Sequence, residues 1–307
     1  MRRGVIGVVV LALVAGTMGV AAIATNTAGA GDRWGSVLAR VDRFIAGPVP
    51  DRPAPSTVRV TDPPLEPASP EPTPSDAPPS DRPGASSEPI TTTSPTPAPV
   101  REAVDVDIAV DPEAVFAHQI HKDWCAVAGT QMVLAQLGLV DTSEATQKEI
   151  AGGIRDWESI NDSRNGDWGP AAMALALADY GAPGYEVRAF ETRQGALRNA
   201  ARTIQETGAP VILLAWRGAH TWIMTGFRAD ADPSVFRDAH IEGAYILDPW
   251  YPWVSSIWGA SDPPGTFQDE AEMKRNFLQW RRPEGRYPDR DGLYITVAPT
   301  LAITSTE

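Results

Sequence analysis

Ala117-His118-Gln119-Ile120-His121-Lys122-Asp123-Trp124-Cys125-Ala126-Val127-Ala128-Gly129 holds the only cysteine of a 307-residue chain. From Cys125 the run through Thr130, Met132 and Leu134 to Leu137 is mostly apolar and stops at Gly138. That pattern predicts a helix with Asp123 as N-cap and Cys125 in the first turn, where unsatisfied amides and the helix dipole favour a thiolate. A lone cysteine on an apolar helix is ordinarily packing material. The chain begins, however, with what reads as an export signal, and exported proteins pair their cysteines or lack them. A nucleophile is the reading that gives this thiol a purpose, and a nucleophile needs a base.

Working outward, only two histidines follow Cys125, and His220 opens the apolar run Thr221-Trp222-Ile223-Met224 that reads as a strand. The next apolar run, Ala244-Tyr245-Ile246-Leu247, ends on Asp248-Pro249. A carboxylate at a strand end can bond the second imidazole nitrogen and fix the tautomer of the ring. Gln119, six residues before Cys125, can supply a side-chain amide beside the thiol.

This series of residues resembles the papain-like cysteine peptidases of clan CA, in particular the bacteriocin-processing, double-glycine-leader branch, cysteine peptidase family thirty-nine. The likeness covers about Val104 to Pro299: the Cys125 helix, a second helix ending in Tyr180-Gly181, a helix leading into Gly208-Ala209-Pro210-Val211-Ile212, the His220 strand and the strand ending in Asp248-Pro249. Two features depart from the pattern, since Trp124 precedes the cysteine where papain has a tryptophan after it, and Ala126-Val127 stands where many members of the branch have Gly-Pro. The resemblance implies an α+β papain-like fold with the nucleophile helix packed on an antiparallel sheet. It further implies Cys125 as nucleophile, His220 as base, Asp248 as orienting acid and Gln119 as oxyanion donor in hydrolysis of a peptide or protein substrate.

Composition divides the chain. Between Pro48 and Pro99 lie 17 of its 29 prolines, mixed with Ser, Thr, Asp and Glu. Residues 31–100 are therefore expected to be an extended, disordered linker, with the folded domain over 101–307. Residues 1–30 start with Arg2 and Arg3 before an uncharged apolar run from Gly4 to Ala24. They read as an uncleaved anchor that puts the rest of the chain outside the cytoplasm, or as a signal peptide cut after Ala30 that leaves it secreted. Trp34, Val37, Leu38, Val41, Phe44 and Ile45 fall at helical spacing with arginines between them, as in an amphipathic helix at a membrane surface.

Net charge is −13, and residues 101–307, with 18 Lys and Arg against 30 Asp and Glu, carry −12 of it. That sign disfavours nucleic acid. No metal motif or phosphate-binding glycine loop appears, so neither metal nor cofactor is expected. Trp250 and Trp253, in the loop after Asp248, are candidates to wall a peptide cleft, and His118 and His121 read as loop residues. Three rival functions remain. A cell-wall amidase or endopeptidase also uses cysteine and histidine, though usually closer together than the 95 residues here. An acyltransferase would use the same three groups. A non-catalytic binding module on the same scaffold would be expected to lack one of them.

Overall fold

The computed structural model describes residues 47–61, 99–163, 168–281 and 284–300. The segments read as anchor and amphipathic helix, and the linker from residue 62 to 98, lie outside these. Among the described residues no helix is long and apolar enough to cross a membrane. The chain divides after Pro50, and the unit from Asp51 onward carries every element below.

Its described residues form ten strands and seven α-helices. They run β1 (Val58–Arg59), β2 (Val104–Asp107), α1 (Pro112–Val115), α2 (Cys125–Gln136), α3 (Glu144–Gly152), α4 (Ile154–Trp157), α5 (Pro170–Asp179), β3 (Tyr185–Phe190) and α6 (Arg193–Thr207). They continue with β4 (Val211–Ala215), β5 (His220–Ala229), β6 (Ile241–Leu247), β7 (Val254–Ser255), β8 (Gly259–Ala260), β9 (Thr266–Asp269), α7 (Glu270–Asn276) and β10 (Tyr294–Pro299). The main sheet has the order β1-β3-β10-β4-β5-β6-β9, with β2 also on β5, and every pairing except β1 with β3 is antiparallel. This is the expected α+β arrangement, with the helix that begins at Cys125 packed on an antiparallel sheet.

Side chains alternate across the sheet, so one run of apolar residues serves two cores. Ile212, Leu214, Ile223, Ile295 and Val297 face α2 and α5. Val211, Leu213, Trp222 and Met224 face α6 and α7. The uninterrupted apolar sequence of β4 follows from burial on both sides. Gly129 lets α2 lie close on β5, since a β-carbon there would stand 2.6 Å from Cγ2 of Thr221. The helix ends expected at Tyr180-Gly181 and Gly208 are present, Gly208 closing α6 in the left-handed conformation at φ 66°.

Two expectations need correcting. Asp123 does not cap α2. The helix starts at Cys125 with Trp124 in the cap position, and no side chain bonds its first amides. The linker expectation also fails for residues 51–60, which are part of the folded unit. Val58 and Arg59 pair in parallel with Arg188 and Ala189, the Val60 amide donates to the Ala189 carbonyl at 2.9 Å, and Ala54 packs on the α2–α5 core. Proline supplies a fixed φ and removes donors, which suits a segment lying along a sheet edge.

Candidate active site

Three elements bring their ends together. α2 begins with Cys125, β5 begins with His220, and Asp248 follows the last residue of β6. Antiparallel pairing of Ile223 with Leu247 sets Asp248 beside the start of β5. There Nε2 of His220 lies 2.6 Å from Oδ1 of Asp248, which also accepts the Trp250 amide at 2.9 Å. The other imidazole nitrogen is left for the Cys125 thiol, which is near enough to raise the proton affinity of the ring, and Cys125 Sγ stands 4.0 Å from the Ala219 carbonyl oxygen. His220 and Asp248 are buried, whereas Cys125 is half-buried.

Charge decides the state of this group. Burial alone lowers the affinity of His220 for a proton, but the charge and hydrogen bond of Asp248, aided by Cys125, lift its pKa to about 9. Burial likewise pushes the Asp248 carboxyl up, and the charge and hydrogen bond of His220 hold it below the ordinary carboxylate value. At neutral pH the pair is therefore imidazolium and carboxylate, with the cationic ring next to a thiol at a helix N-terminus.

An aromatic stack backs the imidazole. The Trp216 indole lies nearly parallel to it, with centroids 3.9 Å apart and planes at 18°. Trp258 stacks behind Trp216 at 5.7 Å, and Trp250 meets both Trp216 and His220 edge-on. The indole nitrogen donates to Oδ1 of Asn276 on α7 at 3.1 Å. Trp216 and Arg217 hold left-handed backbone, with φ 50° and 63°. Non-glycine residues in that region cost about 1–3 kcal/mol each and are kept where the surroundings dictate them. A π face over an imidazolium stabilises the charged form. The groups that face His220 are then Cys125 from α2, Asp248 from the end of β6 and these indoles. Trp216→Leu keeps the ring covered by apolar surface while removing the π face. It is expected to lower the pH at which the imidazolium loses its proton, seen as a step in the rate of Cys125 alkylation, by about 0.5–1 unit. A pH–rate profile identical to that of the unmodified protein would show that the stack only packs.

Cys125 and His220 open on a cleft of about 600 Å³, lined also by Ala126 and Thr221, while Asp248 lies behind the imidazole and outside the cleft lining. Its far wall carries Asp162, Ser163, Trp168, Gly169 and Pro170, and Trp280, Arg281 and Tyr287 close one end. Glycine is required at 169, where a β-carbon would collide with the Asp162 carboxylate, and at 218, where it would collide with the Trp280 ring.

The remaining sequence candidates lie elsewhere. Gln119 is buried on the loop before α2, its backbone amide donating to the Pro249 carbonyl at 3.0 Å and its Nε2 to the His121 carbonyl at 2.8 Å. It does not line the cleft, but the first of these bonds ties its loop to the residue after Asp248. His118 bonds the Tyr251 carbonyl through Nδ1 at 2.7 Å and packs on Trp253, and His121 packs on Trp124. The tryptophans lining the cleft are Trp168 and Trp280, not Trp250 and Trp253. Among the described residues no group of three or more metal-ligating side chains converges.

No protein-family model matches the chain, and no curated protein does. Among solved structures, a double glycine motif protease from an AMS/PCAT transporter, in complex with its leader peptide, is similar at 18% identity and a TM-score of 0.31. The match covers 60% of this chain and 91% of that one.

Proposed function

We propose that the chain is a papain-like cysteine peptidase that hydrolyses peptide bonds outside the cytoplasm, with Cys125, His220 and Asp248 as its catalytic residues. The observation that carries this reading is His220, buried between the Asp248 carboxylate at 2.6 Å and the Cys125 thiol, at the floor of an open cleft.

In this reading the Cys125 thiolate attacks the scissile carbonyl carbon and forms a tetrahedral oxyanion. The Cys125 backbone amide, which α2 leaves without a side-chain cap, donates to that oxyanion. Gln119, buried with its side-chain amide on the His121 carbonyl and absent from the cleft lining, instead holds the loop that leads into α2. Collapse transfers the His220 proton to the departing amine and leaves a thioester on Cys125. His220, now neutral, takes a proton from water as the water attacks the thioester. Release of the acid returns Cys125 to the thiolate and His220 to the imidazolium, while Asp248 holds the ring throughout.

Alkylation by iodoacetamide, with the modified residue mapped by mass spectrometry, tests the first step. Cys125 is expected to react readily and at a nearly constant rate from about pH 6 to about pH 8. A rate that climbs with pH as for a free thiol, or a thiol that reacts only after unfolding, would overturn the proposal.

A further inference from the structure

We infer that residues 51–60 are a strap that positions the far wall of the Cys125 cleft, so that binding of a peptide depends on a segment outside the catalytic elements. The inference rests on the proposed function, because it assigns that wall to peptide binding.

The contacts run in an unbroken line from the strap to the cleft. The Arg52 guanidinium donates to the carbonyls of Arg155, Asp156 and Glu158, closing the C-terminal end of α4. Cations suit that end of a helix, where carbonyls lack partners. The Arg52 carbonyl in turn accepts from Ser159 Oγ and from Asn161 Nδ2. Five residues later in the strap, Thr57 Oγ1 accepts from Nε of Arg290 at 3.2 Å. Arg290 donates to the Asp162 carbonyl at 3.1 Å and pairs with the Asp162 carboxylate at 2.7 Å. That carboxylate, on the cleft wall, accepts the amides of Ala171 and Ala172 at 3.2 and 2.9 Å and so caps α5.

Cys125, His220 and Asp248 stand on α2, β5 and β6, and none of these contacts reaches them. Freeing the strap should loosen the wall while leaving the nucleophile intact. A role in general stability alone would weaken every reaction of the folded protein alike.

The test compares two probes of Cys125 in the full chain. Iodoacetamide is too small to need the wall, whereas a mixed-sequence pool of peptidyl epoxysuccinates needs it. In Arg52→Ala the iodoacetamide rate and its pH dependence should match the unmodified protein, and labelling by the peptidyl pool should fall about ten-fold, as expected when a positioning contact is lost. Arg52→Lys, which keeps a cationic donor, should fall less, and it substitutes for the alanine variant if circular dichroism shows that variant unfolded. An unchanged peptidyl rate, or an equal fall with both probes, would overturn the strap's positioning role. Absence of peptidyl labelling in the unmodified protein, with Cys125 reacting as an ordinary thiol, would overturn the peptidase reading and this inference with it.

Discussion

Cys125→Ala and His220→Ala are each expected to remove nearly all peptide turnover, and the double variant should be little worse than either single one. Groups that act as one unit show strong non-additivity, because the first loss disables the step in which the second would act. Asp248→Ala should behave differently. Burial is the largest influence on His220 and opposes its charge, and Asp248 supplies most of what counters it. Without the carboxylate the ring should lose its proton below neutrality. Activity of Asp248→Ala is therefore expected to be low at pH 7 and to recover partly toward acid pH. The linkage has the same sign for folding. The His220 contribution is complete below about pH 6.5 and is lost as pH rises through about 9. The Asp248 contribution is present above the ordinary carboxylate value and lost as pH falls through its lowered one. Full turnover in His220→Ala with an intact fold would remove the catalytic assignment.

The second large effect concerns stability. Arg290→Met should destabilise the domain by about 3–5 kcal/mol, because the Arg290 and Asp162 side chains are 2% and 1% exposed and the change strands a buried carboxylate. For a unit of this size that corresponds to a fall in melting temperature of roughly 10 °C. Pairing it with Asp162→Asn, which keeps an acceptor for the α5 amides and removes the charge, should restore part of the loss. If the double variant melts below Arg290→Met, the guanidinium is needed for its packing against Trp280 and Tyr287 more than for its charge.

Cys125, His220 and Asp248 could be located in the sequence because each stands at the end of an element with its own local punctuation. Gly138 stops α2, and Pro249 ends the strand that carries Asp248. The cleft wall had no such marks. Asp162, Trp168, Trp280 and Tyr287 are brought together by long-range bonds such as Arg290 with Asp162 and Tyr287 with the Ile160 carbonyl, which have no period in the sequence. Trp216 could be read as a core tryptophan near His220, but the left-handed backbone that lays it flat on the imidazole could not. The strap was hidden for a different reason. Its neighbours are so rich in proline that composition averaged over the segment masks the alternation Val58-Arg59-Val60, the one local sign of a strand.

That short strand has a consequence for how the folded chain meets copies of itself. β3, paired on its other side with β10, would otherwise end the sheet there and present the outward amides and carbonyls of alternate residues to any extended peptide. Open edges of this kind seed intermolecular pairing and aggregation. β1 occupies the stretch around Arg188 and Ala189 from within the same molecule. A version of the domain trimmed to begin at residue 101 would expose this edge, and it should self-associate where the longer chain stays dispersed.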